Sequence, residues 1–273
     1  PFGTEEQFLE KMQEIAEGEG RDFPVNREKA DYLVTLAPGE LESHWRSITA
    51  IADILDHLGI DWTLHSKAFE ATNFGFLSGN MPLQKELTTR LIDVCAEIGA
   101  KRLILPECGH AYGAARWEAA TWYGEPVPVE VVHMTEDLAE LVREEKIRLR
   151  PIEDTATFHD PCQLVRRGGV SEEPREILAA LGLDVTEMHD NREFGFCCGG
   201  GGGVLANERA QPLRDKVFEL KRHQVEETGA NRFVTSCGQC RMTFDKGAER
   251  HHWDKRPESL LELVHQQMIT EGA

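Results

Sequence analysis

The sequence has no long apolar run and only a small share of cationic side chains. No run approaches the roughly 18–20 apolar residues of a membrane span, and the opening stretch PFGTEEQFLEKM is too polar for a signal peptide. Lys and Arg number 30 against 48 Asp and Glu, so the net charge is −18. Because nucleic acids and anionic membranes are bound through cationic side chains, this charge argues against nucleic acid as a partner and against charge-driven membrane binding.

Two motif types are also missing. The glycine run Gly199–Gly203 is not followed by the Lys-Ser/Thr of a phosphate-binding loop, and no acidic residue stands at the usual dinucleotide distance. A nucleotide site is therefore not expected. There is one CxxC motif, Cys237 to Cys240, whereas a structural zinc site commonly uses two.

Cysteine is the most informative residue type. The seven cysteines are Cys95, Cys108, Cys162, Cys197, Cys198, Cys237 and Cys240. An odd number in a chain of this length does not fit a disulfide scaffold. Five of them cluster between positions 162 and 240, which indicates metal or redox chemistry instead.

Segments with strand and helix periodicity alternate along the chain. Strands are predicted at 32–36, 60–64, 102–105, 129–133, 155–159, 184–188 and 232–235. Helices are predicted at 4–17, 42–58, 82–98, 136–147, 172–181, 207–228, 239–249 and 257–270, the first with a capping box of Thr4 and Gln7. This alternation predicts an α/β fold with parallel sheets, whose ligand site lies at the carboxyl ends of the strands.

An internal repeat divides the chain. The matching segments are LGIDWTLH (58–65) with LGLDVTEMH (181–189), FGFLSG (74–79) with FGFCCG (194–199), and GAKRLILPECG (99–109) with GANRFVTSCG (229–238). Pro38-Gly39 likewise corresponds to Pro161-Cys162, and all four offsets lie between 120 and 130 residues. We therefore predict an N-terminal helical segment over 1–30 and two pseudo-repeated α/β halves, 31–150 and 151–273.

The two halves differ in their cysteines. Gly39, Leu77, Ser78 and Ala111 of the first half stand where the second half has Cys162, Cys197, Cys198 and Cys240. Only Cys108 is matched by a cysteine, Cys237. The second half has thus kept a cofactor site that the first half, which is degenerate, has lost.

The five cysteines of the second half follow predicted strands or lie in turns, so they are expected to converge at one sheet edge. Five thiolates exceed the four ligands of one zinc ion, and a vicinal pair is awkward for a zinc knuckle. An iron–sulfur cluster can bind adjacent thiolates at different irons, and Gly199 and Gly200 would let backbone N–H groups approach it. We favour iron–sulfur; zinc and a thiol-only redox site stay open.

At these residues the sequence resembles a known family. Cys162, 34 residues, Cys197-Cys198, 38 residues and CxxC are similar to the cysteine-rich CCG domain of heterodisulfide reductase-like iron–sulfur proteins. The segments TFHDPCQLVRRGG (157–169), NREFGFCCGGGGG (191–203), EATNFGFLSG (70–79) and ECGHAYG (107–113) resemble the narrower group of DsrK-like subunits, with their Hme and Tmc relatives. The sequence lacks the CxxCxxCxxxCP motifs of those subunits, which suggests a fragment or a domain served by a separate ferredoxin.

The resemblance implies an iron–sulfur oxidoreductase that reduces or forms a disulfide or trisulfide. It implies a [4Fe-4S] cluster of the noncubane type, held by Cys162, Cys197, Cys198, Cys237 and Cys240. The implied partners are a DsrC-like sulfur-carrier protein and either membrane haem b and quinone-linked subunits or a ferredoxin-like donor. The implied location is the cytoplasm, at the inner face of the membrane through those partner subunits.

Three other residues are predicted to act near the cluster. Cys108 is either a remnant of the lost site or a thiol that faces the surviving one. His110 and His159 either relay protons or make structural hydrogen bonds. Cys95 lies within a predicted helix and is expected in the core. The competing functions are an electron-transfer subunit without thiol chemistry and a zinc-stabilised structural module.

Overall fold

The computed structural model describes residues 3–69 and 74–270. Residues 70–73, the start of the EATNFGFLSG segment, lie outside these ranges. The chain divides into two compact units between Met134 and Thr135, and each unit contains one sheet.

The first unit is built on a four-stranded sheet. Its elements are α1 (Glu5–Glu19), β1 (Tyr32–Val34), α2 (Pro38–Glu42), α3 (Arg46–His57), β2 (Trp62–Thr63), α4 (Phe74–Ser78), α5 (Met81–Ile98), β3 (Arg102–Leu105), α6 (Gly109–Gly113), a π-helical segment (Ala114–Glu118), α7 (Ala119–Tyr123) and β4 (Glu130–His133). The strand order is β2-β1-β3-β4, and every neighbouring pair is parallel.

The second unit repeats this plan. Its elements are α8 (Met134–Arg143), β5 (Thr155–His159), α9 (Cys162–Arg166), α10 (Glu173–Ala180), β6 (Asp184–Val185), three 3-10 turns (Arg192–Phe194, Val204–Ala206, Glu208–Ala210), α11 (Gln211–Glu227), β7 (Arg232–Thr235), α12 (Gly238–Arg250), β8 (Pro257–Ser259) and α13 (Leu260–Gln267). The order β6-β5-β7-β8 is again parallel throughout. The identical strand orders confirm the predicted α/β fold with two pseudo-repeated halves.

The apolar pattern of the strands explains why both sheets are buried. The interior strands β3 and β7 are buried over their last three residues, because helices cover a parallel sheet on both faces. The helices obey the same logic, since α3 buries Ile48, Ile51 and Ile54 on one side. The capping box at the start of α1 is present as predicted, with Thr4 and Gln7 hydrogen-bonded reciprocally.

Several boundaries differ from the prediction. The predicted helix 257–270 begins as a strand: β8 pairs with β7 and closes the second sheet, so its first residues are satisfied by a ladder. The predicted helix 42–58 is interrupted between α2 and α3, and the helical segments between β3 and β4 were not predicted. Of the helices in the described ranges, none combines the length and the apolarity needed to cross a bilayer.

Candidate metal centre

The cysteines of the second unit meet because of where its strands end. Strands β5 and β7 are neighbours, with His159 paired to Thr235, and each leads directly into a cysteine loop. Cys162 opens α9, while Cys237 is the N-cap residue of α12. In the order β6-β5-β7-β8 the connections leave β5 and β7 in opposite directions, which is the topological switch point where α/β sheets bind ligands.

The third cysteine loop is fastened to the first by hydrogen bonds. The buried Asp160 carboxylate accepts two bonds from the Arg175 guanidinium, at 2.8 and 2.9 Å, and one from the Arg192 backbone N–H at 2.6 Å. On the other side of Cys162, Arg166 donates to the carbonyl oxygens of Glu193 and Gly195. Residues flanking Cys162 therefore fix the segment that leads to Cys197.

The sulfur atoms form a continuous set. Cys162 donates its S–H to Cys197 Sγ at 3.7 Å, and the Gly199 N–H donates to the same sulfur at 3.3 Å. The Cys198 thiol interacts with those of Cys197 and Cys240. Cys240 in turn interacts with Cys237, so all five cysteines are linked.

The set has an inner and an outer side. Cys198, Cys237 and Cys240 are buried, and they belong to an apolar cluster with Phe218, Phe233 and Phe244. Cys162 and Cys197 are half-buried. The outer pair is the part of the set that solvent reaches.

Hydrogen bonding shares out the protons among these thiols. Bonds from the Cys162 and Cys198 thiols and from the Gly199 N–H lower the pKa of Cys197. Donating to Cys197 raises the pKa of Cys162, and it raises the pKa of Cys198 to about 12. Without metal, the set therefore holds a thiolate at Cys197 among protonated thiols. Metal binding must displace those protons, because the thiolate is the ligand form.

His159 lies against the inner thiols. A ring nitrogen of His159 and the sulfurs of Cys198 and Cys240 lie within 4.8 Å of one another. The ring is buried, packs edge-on against Phe244 at 4.9 Å, and has no hydrogen-bond partner among the described residues at either nitrogen. Burial lowers its pKa well below the usual range, so the imidazole is neutral.

These residues fit a polynuclear iron–sulfur group. Five soft sulfur donors converge, two of them are adjacent, and an unpartnered buried imidazole adjoins the inner ones. A single tetrahedral zinc would leave at least one of the five thiols unused. Sulfur donors of this kind select zinc, copper(I) or iron–sulfur clusters, and the count favours the last.

The glycines next to the vicinal pair are required by packing. A Cβ on Gly200 would lie 1.8 Å from Thr243 Oγ1, and one on Gly199 would lie 2.7 Å from Val217 Cγ1. Gly199 also has a φ of +82°. The loop therefore lies directly against α11 and α12. Binding of a cofactor by the backbone of Gly199 and Gly200 stays a prediction.

The remaining predicted residues are placed as follows. Cys95 is buried in α5, and burial raises its pKa to about 12, as expected of a core thiol. Cys108 and His110 belong to the first unit, at the end of β3. Cys108 is the N-cap of α6 and accepts the Ala111 N–H at 3.4 Å. The catalytic roles of Cys108, His110 and His159 stay predictions.

Sequence reasoning missed two groups next to the sulfur set. The Asp160–Arg175 pair carried no motif that would mark it. Lys221 lies on the buried face of α11 with Phe218 and Val225. Its spacing of three and four residues from those apolar neighbours was a signal, because it places the lysine on the core side of the helix.

Comparison with known proteins agrees with the class of site that this geometry defines. Residues 156–245 match the family model of the cysteine-rich domain, CCG. One of the subunits of the dihydromethanophenazine:CoB–CoM heterodisulfide reductase of Methanosarcina barkeri is 33% identical over 66% of this chain and 44% of its own length. The EtfAB:quinone oxidoreductase of Syntrophomonas wolfei is 34% identical over 63% of this chain and 24% of its own length.

The chain belongs to the CCG family of heterodisulfide reductase-like iron–sulfur oxidoreductases. It spans less than half the length of these two relatives. A crystal structure of a hypothetical protein from Helicobacter pylori superposes with a TM-score of 0.59 at 10% identity, over 92% of this chain and 50% of that one. At that identity the likeness concerns the fold alone.

Proposed function

We propose that this chain holds a [4Fe-4S] cluster of the noncubane type through Cys162, Cys197, Cys198, Cys237 and Cys240, and that it reduces or forms a disulfide there. The observation that carries the proposal is the two-sided exposure of the set. Three thiols are buried, whereas Cys162 and Cys197 are half-buried. A substrate sulfur can therefore approach the outer side, and the buried side stays protected from water.

Each group of the chain has a defined task in this reaction. Cleaving a disulfide to two thiols consumes two electrons and two protons. The cluster supplies electron storage and a Lewis-acidic metal. The Gly199 N–H holds Cys197 in place, a ring nitrogen of His159 holds a proton near the inner thiols, and Cys108 and His110 serve the substrate as thiol and proton relay.

The proposed substrate is the disulfide or trisulfide of a DsrC-like carrier protein. Phe194 supports a peptide substrate: it is 77% exposed and lies three residues before Cys197. Its loop is held by Arg166 on both sides, so an apolar side chain is presented beside the outer sulfurs. Electrons come from membrane haem b and quinone-linked subunits or from a ferredoxin-like donor, at the cytoplasmic face of the membrane.

A second function, electron transfer without thiol chemistry, is supported by a different observation. The EtfAB:quinone oxidoreductase relative is as similar to this chain as the heterodisulfide reductase relative is, and its name specifies electron transfer to quinone. In that case the cluster would pass electrons to a partner cofactor, and no substrate sulfur would reach iron.

An anaerobic assay separates the two functions. The chain is reconstituted with iron and sulfide, reduced with a viologen, and mixed with an oxidised DsrC-like carrier or with the CoB–CoM heterodisulfide. Disulfide reduction predicts stoichiometric thiol release and a new paramagnetic signal that appears only when the thiol is present. Cys95→Ser is the matched control, because Cys95 is a core thiol outside the set.

Three outcomes decide between the functions. Thiol release that survives in Cys95→Ser but is lost in Cys197→Ser supports disulfide chemistry. A cluster that cycles between redox states without thiol release supports electron transfer. Zinc in place of iron and acid-labile sulfide would overturn both.

A further inference from the structure

Helix α11 carries a buried cation on the side that packs against the cysteine set. Phe218, Lys221 and Val225 are its buried residues, and Lys221 is only 1% exposed. Phe218 and Val225 belong to the apolar cluster that contains Cys198, Cys237 and Cys240. Because residues three and four apart share one face of a helix, the lysine stem lies on the face that covers the inner cysteines.

The acceptors of this ammonium group are neutral. Nζ donates to Met188 Sδ at 3.4 Å and to Gln224 Oε1 at 2.9 Å. The carboxylates whose charge acts on it are engaged elsewhere, Asp160 with Arg175 and Asp190 with His189 and Gln224. A thioether and an amide do not compensate a buried positive charge, which ordinarily persists only beside an anion.

The inner cysteines are the anions available to it. The charges of Cys240 and Cys198 both act on Lys221 and favour its protonated form, whereas burial alone lowers its pKa to about 8. A cluster held by thiolates is anionic and gains a further negative charge on reduction. A fixed cation beside it therefore stabilises the reduced state more than the oxidised one.

We infer that Lys221 is the built-in counter-charge of the metal centre and raises its reduction potential. The inference rests on the proposed cluster and adds a residue outside the ligand set. Lys221 acts through the electrostatic field at the cysteines, so it is a positioning residue and contacts no substrate.

Three lysine variants test this assignment. Lys221→Met keeps the length and the packing of the side chain but removes its charge, and Lys221→Arg keeps the charge. Lys216→Met is the matched control, because Lys216 lies on the same helix, is exposed, and pairs with Glu219. Each reconstituted protein is assayed for iron and sulfide, and its midpoint potential is measured by a redox titration followed by EPR, without substrate.

Lys221→Met is expected to bind the cluster with a lower potential. At the wild-type midpoint the ratio of oxidised to reduced cluster rises about tenfold or more, which is about 59 mV for a one-electron couple. Lys221→Arg and Lys216→Met stay near wild type. In the metal-free protein, Lys221→Met is at least as resistant to urea as wild type, because a buried charge has been removed.

A purely structural lysine would give the opposite pattern, with lower urea resistance and an unchanged potential, and that result would overturn the inference. A wild-type chain that holds no iron would overturn it as well. Should Lys221→Met fail to fold, Lys221→Gln carries the same expectation for the potential. Since no substrate is present, a chain that fails to release thiols but shows the shift would refute disulfide chemistry alone.

Discussion

The carboxyl edges of the two sheets share a strand order and differ in the chemistry that follows the strands. After β5 comes His159-Asp160-Pro161-Cys162, and after β1 comes Leu36-Ala37-Pro38-Gly39. In the first unit the edge is closed by oxygen: Glu40 accepts from the backbone N–H groups of Ala37 and Glu107. Ser47 donates to the Glu107 carboxylate at 3.0 Å. The fold therefore supplies a place for a ligand, and a few side chains after the strands decide whether sulfur or a hydrogen-bonded carboxylate occupies it.

Cys108 and Cys237 make the same contrast at a single position. Both are N-cap residues with extended backbone after the third strand of their sheet. The Cys108 sulfur accepts the Ala111 N–H and so serves as a cap. The Cys237 sulfur makes no cap bond and interacts with Cys240 instead. One inherited cysteine thus contributes to a helix cap in one unit and to a sulfur set in the other.

The strongest test of this contrast replaces each of the two cysteines by serine. Cys237→Ser is expected to abolish cluster assembly, because a hydroxyl is a poor ligand for iron in a set of thiolates. Cys108→Ser should retain the full iron and sulfide content, since the five ligands come from the second unit and serine is itself a good N-cap. Iron and sulfide analysis after anaerobic reconstitution measures both. Equal loss of iron in the two variants would show that Cys108 is a ligand.

A smaller effect is expected where the second edge depends on charge. Asp160→Asn removes half of a buried ion pair and leaves the Arg175 guanidinium with Glu187 as its remaining anion. We expect a loss of about 3 kcal/mol in the free energy of unfolding of the metal-free protein. Urea denaturation measures it, with Glu219→Gln as the control, because an exposed pair contributes below about 1 kcal/mol. A loss as small as that of the control would mean that the clamp does not fix the loop before Cys197.

Much of this arrangement was visible in the sequence, because its causes are local. Strands 102–105, 155–159 and 232–235 were predicted at the bounds observed, since each is a short apolar run between a helix and a turn. The repeat predicted two halves, which the shared strand order confirms. It also contained the missed strand β8: the first half ends its sheet with 130–133, and a counterpart was to be expected near 257.

Other features depend on contacts between distant residues and left no local trace. Asp160 and Arg175 read as ordinary charged residues until the fold brings Arg192 onto the same carboxylate. Lys221 reads as one cation in a polar helix, and only its spacing from Phe218 and Val225 sets it apart. Whether Cys162 and Cys197 face outward depends on how the third loop packs, which the spacing of cysteines does not determine.

The finest difference between the two edges lies in a pair of matched glycines. Gly79 and Gly199 occupy the same place in the repeat, and both have positive φ, at +73° and +82°. Replacing either by alanine costs about 1–2 kcal/mol for the left-handed backbone. The surroundings differ, because a Cβ on Gly79 meets nothing within 4 Å, whereas a Cβ on Gly199 lies 2.7 Å from Val217 Cγ1.

Gly199→Ala should therefore be more costly than Gly79→Ala by about 1–3 kcal/mol, which is the range for overpacking a filled site. Urea denaturation of the metal-free proteins gives both losses. The double variant Gly199→Ala, Val217→Ala assigns the difference, because removing the Val217 methyl groups should recover about 1 kcal/mol of coupling if crowding is the cause. Equal losses at the two glycines, or no coupling to Val217, would mean that the loop after the vicinal cysteines moves freely away from α11. In that case the close packing of the second edge would not contribute to holding its sulfur atoms together.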